Sequence, residues 1–295
     1  MKLHKLTSLL LALVLGASLA SAQSFTVALK NGEKVTYNNS EVDSIFFHTP
    51  DTPAEPAAAK IGDFYYSDGT WSTDLNTSKT VIGIVFRAGI ASDYRDSEAY
   101  YTMKDGKTKL EKVHGYAIAL RDATGLDGWD DLQWWSPFND DAGGGCSSDY
   151  TDFLGYTNTL SIIDAAGGTL TNKNFPAAYY ATTVYENAVP APEQSSGWFL
   201  PSAGMLKYIY DRVYFDEDNS GRACVVNAML KLNTADVDLL YRNDAEYWTS
   251  TEKIDSYGKS TWAYYVCFDA RSIKPGFVAD YRKNAGFAVR SVIVF

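Results

Sequence analysis

Oxygen-bearing side chains crowd one stretch, Asp216-Glu217-Asp218-Asn219-Ser220-Gly221. Asp216, Asp218 and Ser220 at its first, third and fifth positions, followed by Gly221, match the opening half of a Ca2+-binding loop. The twelfth position is Asn227, where such loops need a bidentate Glu, so an exposed acidic turn is the competing reading. Catalytic chemistry finds little purchase. Beyond residue 22 only His48 and His114 offer an imidazole base; one falls beside a linker and the other before Gly115-Tyr116. No H-E-x-x-H, G-x-S-x-G or phosphate-loop pattern occurs. A glycosidase needs two carboxylates, but acidic residues are too many here for spacing to single out a pair. Cys146, Cys224 and Cys267 fit no zinc spacing; at most one internal disulfide can form, and all three can equally be plain buried thiols. The expectation is a non-enzymatic protein without a cofactor, Ca2+ being the one candidate.

Composition narrows the partners. The 295 residues carry 26 Lys plus Arg against 36 Asp plus Glu, a formal net charge of −10. Nucleic acid is excluded as a partner, because neutralising phosphates takes clustered Lys and Arg. Aromatics reach 14% with 21 Tyr and 7 Trp, which a disordered chain would not carry. Lys2 and Lys5, an apolar run from Leu9 to Leu19, and Ala20-Ser21-Ala22 read as a signal peptide over 1–22, cleaved before Gln23. The apolar core is shorter than the roughly 20 residues of a spanning helix, and no later stretch is apolar enough to span. The expected address is therefore outside the cytoplasm: periplasm, cell surface or medium.

Three further segments follow. Residues 23–48 read as a small β module: Phe25, Val27 and Leu29 alternate with polar residues, Asn31-Gly32 marks a turn, and Val35 and Tyr37 alternate again. A third short strand is expected over Val42 to Phe47. Residues 49–59, rich in Pro and Ala, form a semi-extended linker. Residues 60–295 form the main domain. Val81 to Phe86 and Tyr116 to Leu120 are apolar, β-branched runs suited to buried strands. The stretch from Thr124 to Thr157 has no clear period and reads as a long loop. Thr157 to Gly167 is expected to be helical and to end at Gly167-Gly168. The spacing of Leu206, Ile209, Tyr210 and Val213 predicts a helix over 202–214, capped by Ser202; Val225 to Leu232 is a candidate for another. Strands are expected at Tyr247–Ser250, Trp262–Phe268 and Phe287–Val294. The order of elements gives an α+β class with short antiparallel strands, two helices and long loops.

Three motifs carry a resemblance. Gly197-Trp198-Phe199-Leu200-Pro201-Ser202 precedes the 202–214 helix, Tyr247-Trp248-Thr249-Ser250-Thr251-Glu252 follows it, and Ala288-Val289-Arg290-Ser291-Val292 closes the chain. In this order they resemble a bacterial C-type-lectin-like family that includes the C-terminal domains of collagen-like adhesins and the major paralogous domains of fibre-degrading bacteria. The likeness covers Ser196 to Phe295 and extends back to Lys60. The first module is similar to a short N-terminal unit of exported Bacteroidetes proteins. Trp198, Leu200, Pro201, Trp248, Ser250, Thr251 and Arg290 are expected to define the fold, with Arg290 pairing with Glu252 or a backbone carbonyl. The Glu-Pro-Asn type of sugar-coordinating triplet used by calcium-dependent lectins is missing.

In that fold, the resemblance implies, ligands meet the long loops and the last strands. The candidates are Tyr257, Tyr265, Asp269, Arg271, Tyr281 and Arg282, whose rings, amides and charges suit a sugar face or a protein hot spot. Alternation predicts that Trp262, Tyr264, Val266 and Phe268 face the core while Ala263, Tyr265 and Cys267 face the other way. The implied function is an exported adhesin or glycan- or protein-binding module. The alternative is a structural subunit of a surface fibre or pilus, and a cryptic hydrolase ranks third.

Overall fold

A computed structural model describes residues 24–28, 33–38, 40, 57–123, 132–135, 143–214, 223–240, 245–268 and 277–295. The 1–22 leader, the third strand expected over Val42 to Phe47, and His48 lie outside them. The chain divides into two units, Met1–Ala57 and Ala58–Phe295.

In the first unit, β1 (Ser24–Ala28) and β2 (Lys34–Asn38) pair antiparallel, with Val27 opposite Val35. Thr26 and Thr36 face each other, their hydroxyls 2.8 Å apart. Such cross-strand hydroxyl pairs contribute a few tenths of a kcal/mol to about 1 kcal/mol.

The second unit is built on a five-stranded antiparallel sheet in the order β12-β6-β5-β3-β4. Its strands are β3 (Phe64–Tyr66), β4 (Trp71–Ser72), β5 (Val81–Ala88), β6 (Gly115–Ala119) and β12 (Val292–Val294). Both faces are buried, which explains why β5 reads as a nearly continuous apolar run. Phe64, Ile84, Phe86, Ile118 and Val292 face one cluster; Tyr65, Ile82, Val85, Ala117 and Ile293 face the other. Glycine is required at Gly83, where a Cβ would lie 2.9 Å from the Ile118 carbonyl oxygen. Tyr65 stacks on Phe295 at 4.2 Å, tying the last residue to the third strand.

Helices cover this sheet: α1 (Gly155–Ala165), α2 (Pro176–Tyr179), α3 (Tyr185–Ala188), α4 (Ala203–Tyr208) and α5 (Ala223–Leu230). A π-helical stretch, Tyr180–Val184, joins α2 to α3, and another, Ile209–Tyr214, continues α4. The described residues thus hold more than the two helices expected. The helical segment that the sequence did not suggest, over 176–188, is anchored by buried Ala177, Ala178, Ala181 and Tyr185 rather than by a regular apolar stripe. Helix α1 starts two residues before the predicted Thr157. Its first residue, Gly155, sits so close to α4 that a Cβ would lie 2.7 Å from the Ser202 amide nitrogen. Ser202 caps α4 as predicted, accepting from Met205 N at 3.4 Å, and its hydroxyl donates to the Asp152 carbonyl at 2.6 Å.

Gly204, inside α4, is packed against backbone; a Cβ there would meet the carbonyl oxygens of Asp152 and Thr151 at 2.3 and 2.5 Å. Alanine is the better helix former, by up to about 1 kcal/mol. Gly204→Ala is nonetheless expected to lower stability by about 1–3 kcal/mol, as overpacking does. Urea unfolding monitored by circular dichroism checks the sign.

A second sheet carries the late strands in the order β10-β9-β8: β8 (Glu246–Lys253), β9 (Trp262–Cys267) and β10 (Val278–Arg282). The expected last strand over 287–294 is divided. Its start forms β11 (Gly286–Phe287), paired with β7 (Leu132–Gln133), and its end is β12. Between them, Arg290 turns into the core.

The three resemblance motifs meet here. Phe199 and Val292 exchange backbone hydrogen bonds at 3.0 and 3.1 Å, and Ser250 N donates to the Pro201 carbonyl at 2.7 Å. Leu200 and Ser250 are fully buried, and Thr251 Oγ1 accepts from Ala203 N at 2.9 Å. Trp198 and Trp248 are buried, their indole N–H groups donating to the carbonyls of Val189 at 2.8 Å and Leu132 at 2.7 Å. Arg290 does not pair with Glu252. It pairs with Asp122, Nε to Oδ1 at 2.7 Å, and donates to the carbonyls of Ala119 at 3.0 Å and Asp238 at 2.7 Å. The backbone-carbonyl half of the expectation holds. Glu252 is taken by Lys283 instead.

Candidate ligand-contact face

The β8–β9–β10 sheet gathers the sequence-predicted residues that are described. Register places Lys253 and Arg282 on either side of Trp262, so all three share one face. Tyr264 and Asp280 form the next row of that face. The opposite face carries Ala263, Tyr265 and Tyr281.

The predicted division of β9 into a core face and an outer face is corrected. Ala263 and Cys267 are buried along with Val266 and Phe268, while Trp262 is only half-buried. Both faces are covered because Trp248 and Phe287 pack on the side predicted to be outer; Tyr265 stacks on Phe287 at 4.4 Å, and Trp248 meets Phe287 at 4.6 Å. Tyr265 is therefore half-buried among rings, and burial pushes its phenol up to about 12. Trp262 stands at the strand's open end, where the sheet stops being covered.

That end is the exposed one. The loop from Ile254 to Thr261 joins β8 to β9 beside the last residues of β10. The Asp255 carboxylate accepts from the N–H groups of Tyr257 at 2.8 Å and Lys259 at 2.9 Å. Gly258 takes the left-handed conformation at φ +75°, which closes the turn. The result is a fixed tip with Tyr257 86% exposed. Tyr281 is 50% exposed, its ring 6.2 Å from that of Trp262 at an angle of 61°. The Arg282 guanidinium lies 5.9 Å from the Trp262 ring centre. Lys253 donates to Asp280 at 2.9 Å and lies over Tyr264; that hydrogen bond raises its amine above the usual range. Tyr150, from the segment preceding α1, extends the face, its ring 5.6 Å from Tyr264.

Tyr257, Tyr281 and Arg282 thus lie at the same end of the sheet, with Tyr281 on the face opposite Arg282 and against Phe287, and Tyr265 belongs to the packed interior on the Tyr281 side. Asp269 and Arg271 lie outside the described residues, as do Asp216, Asp218 and Ser220. Among the described residues no group of three or more His, Cys, Asp and Glu side chains is placed to hold a metal ion. His114 is half-buried, its ring 5.0 Å from that of Trp71.

A buried anchor that the sequence did not disclose holds this end in place. Lys283, directly after Arg282, is buried and pairs with buried Glu252 at the end of β8. The Glu252 carboxylate also accepts from Gly144 N at 2.7 Å, Cys146 N at 2.9 Å and the Ser260 hydroxyl at 2.8 Å. The Lys283 ammonium lies 4.2 Å from the centre of the Trp134 ring. Burial pushes the Lys283 amine down, and Glu252 pulls it back up. One carboxylate therefore ties together the 143–147 segment, the β8–β9 loop and the end of β10. The signal available in the sequence was a Lys inside the aromatic, charged run 280–284.

Cys146, beside this cluster, forms no disulfide among the described residues, and neither does Cys267; the Cys224 side chain lies outside the description. Burial, reinforced by Glu252, pushes the Cys146 thiol well up. It is expected to resist a thiol reagent at pH 8 in the folded protein and to react fully in urea; a mass-spectrometric count of labelled cysteines checks this.

A further concavity lies elsewhere in this unit. A cleft of about 970 Å³ is walled by Leu75, Val81, Leu120, Arg121, Pro192 and Leu232, among others. Its one aromatic, Tyr185, is 1% exposed, so it offers no ring face to a ligand.

The comparisons with known proteins define a class first. A crystal structure of a fimbrial protein from Bacteroides ovatus shares the fold, with a TM-score of 0.56 at 20% identity, covering 80% of this chain and 49% of that one. The shared architecture is mixed α and β with mainly antiparallel sheets. A particular relative follows: a Bacteroides ovatus protein named "Putative fimbrium tip subunit Fim1C" is 26% identical over 254 residues, 78% of this chain and 42% of the relative. The chain spans less than half the length of either protein. No family model matches it.

Proposed function

We propose that this chain is an exported, non-catalytic subunit of a bacterial surface fibre, and that it meets its ligand through the exposed end of the β8–β9–β10 sheet. The observation that carries the fibre reading is the similarity over 254 residues to a protein named as a fimbrium tip subunit. The sequence had placed a fibre subunit second to a free-standing adhesin; the comparisons favour the fibre, and the adhesive reading becomes the work that such a subunit does. No helix among the described residues is long and apolar enough to cross a membrane. A fibre would provide the means of holding such a chain at the surface.

The contact face is supported by three rings and a cation at one sheet end, on a tip fixed by Asp255 and a base fixed by Glu252 and Lys283. Preformed placement of this kind lowers the ordering cost of binding. The C-type-lectin-like reading accords with this position, since it too directs ligands to the late loops and strands. It rests on the order of the three motifs.

Mechanical shearing of the native cells tests the fibre reading. The chain is expected in the sheared fibre fraction, at a fixed ratio to the main fibre protein. Recovery solely in the periplasmic fraction would overturn it.

A further inference from the structure

Deepening the contact-face reading, on which it rests, we infer that the outer edge of β10 takes an extended peptide segment of a partner protein as an added strand, with one apolar side chain of that segment seated between Phe277 and Tyr281. The hydrogen-bond phase of β10 is fixed at its two ends. Cys267 N donates to the Phe277 carbonyl and Lys283 N to the Thr261 carbonyl, each at 3.2 Å, so the odd-numbered residues from 277 to 283 turn their backbone groups toward β9. Val278, Asp280 and Arg282 then turn theirs away from the sheet. The Arg282 carbonyl accepts from Ala285 N at 2.9 Å; the N–H of Arg282 and both backbone groups of Val278 and Asp280 meet no partner among the described residues. The other long edges are closed. On β8, Trp248 N donates to the Ala288 carbonyl at 2.9 Å, Ser250 N to that of Pro201 at 2.7 Å and Glu252 N to that of Ser147 at 3.1 Å. On β12, Val292 exchanges two bonds with Phe199, and the Val294 carbonyl accepts from Ser196 N at 2.8 Å.

The occupant follows from that chemistry. Donors and acceptors that repeat about 6.8 Å apart are matched by another extended backbone. Charges guard many sheet edges, but here they lie back on the sheet: Asp280 is held by Lys253 at 2.9 Å, and the Arg282 guanidinium lies by the Trp262 ring. The ring row sets the side-chain preference. Phe277, Ala279 and Tyr281 share the face opposite Trp262. Phe277 and Tyr281 are exposed, and a run of ring contacts joins them behind Ala279: Phe277 to Tyr265 at 6.2 Å, Tyr265 to Phe287 at 4.4 Å and Phe287 to Tyr281 at 5.9 Å. A strand added to β10 places one side chain opposite Ala279, where a branched aliphatic or aromatic group is flanked by the two exposed rings. A second copy of this chain fits worse. Pairing centred on Asp280 sets carboxylate against carboxylate, and each copy carries a charge of −10.

The probe is a phage library of random linear dodecapeptides panned on the full chain, the recovered peptides being synthesised and titrated by fluorescence anisotropy. Asp280→Pro removes one outward N–H and leaves the bonds to β9 in place; Asp280→Asn removes the same carboxylate and keeps the N–H. Circular dichroism verifies the folding of both. The peptides are expected to bind the wild type and Asp280→Asn alike, and Asp280→Pro about tenfold or more weakly. N-methylation of alternate peptide amides, read on the wild-type chain, needs no variant: one alternate set is expected to abolish binding and the other to leave it. Equal binding to Asp280→Pro and the wild type, or equal effects of the two methylated sets, overturns the added strand. In that case loss of binding in Tyr257→Ala leaves the contact face standing at the loop tip, and no loss there removes the face as well. Failure to recover any peptide overturns the peptide class. A concentration-dependent dimer in sedimentation that Asp280→Pro abolishes reassigns the edge to a second copy and overturns the foreign strand. The shearing result is independent of every arm.

Discussion

Replacing Arg290 with Met lowers the stability of the protein by about 3–5 kcal/mol, the usual cost of leaving one member of a buried ion pair alone. Arg290 is fully buried; so is its partner Asp122, apart from 3% of its surface. The guanidinium also satisfies the carbonyls of Ala119 and Asp238, so the change strands a carboxylate and two acceptors together. For a unit of this size the loss corresponds to a fall in Tm of about 10 °C. Arg290→Lys is expected to recover only part of it, because one ammonium cannot reach three acceptors in a planar fan. Calorimetry of the wild type, both variants and the Arg290→Met/Asp122→Leu double variant separates the effects: the double variant is expected to be more stable than Arg290→Met alone. A wild-type Tm in Arg290→Met would mean that the pair does not organise the last strand.

Glu252→Gln is expected to cost a similar amount, about 3–5 kcal/mol, and also to weaken ligand contact. Gln keeps the shape, but its one carbonyl oxygen can serve either Gly144 N and Ser260 or Cys146 N, its NH2 then facing the remaining N–H, and it no longer offsets the charge of Lys283. The pH dependence has a definite sign. Burial holds the Lys283 amine below its ordinary value of about 10.4, and removing Glu252 lowers it further. Between the lowered folded value and about 10.4, the unfolded chain binds the proton and the folded chain does not. Stability contributed by this group therefore rises with pH across that window, by at most about 1.4 kcal/mol per unit. The deficit of Glu252→Gln relative to the wild type is expected to narrow from pH 7 to pH 10, and Lys283→Met is expected to show no such narrowing. Parallel urea titrations at the two pH values check both. A deficit independent of pH would mean that Lys283 is not the group left stranded.

How much of this was legible in the sequence depends on the range of the interaction. Local signals read well. Ser202 caps its helix because the acceptor lies three residues from the donor it serves. The β-branched run of β5 announced a strand buried on both faces. The same reasoning failed on β9, where alternation predicts one exposed face and two rings from elsewhere, Trp248 and Phe287, cover it. Arg290 was visible as a charge among apolar residues, but its partner Asp122 lies far back in the chain and is brought near by the pairing of β6 with β12. Lys283 and Glu252 could not be matched from sequence for the same reason. The candidate contact residues Tyr257, Tyr281 and Arg282 could be named from sequence because they sit on late, loop-rich segments; the anchor beside them was missed because buried charges look like surface charges in a string of letters.

The most direct test of the account is where the chain sits on the cell. Immunogold electron microscopy of native cells, with antibody raised against the purified protein, is expected to place gold on surface fibres and concentrate it at their free ends. Gold confined within the cell envelope, with fibres present and unlabelled, would contradict the assignment.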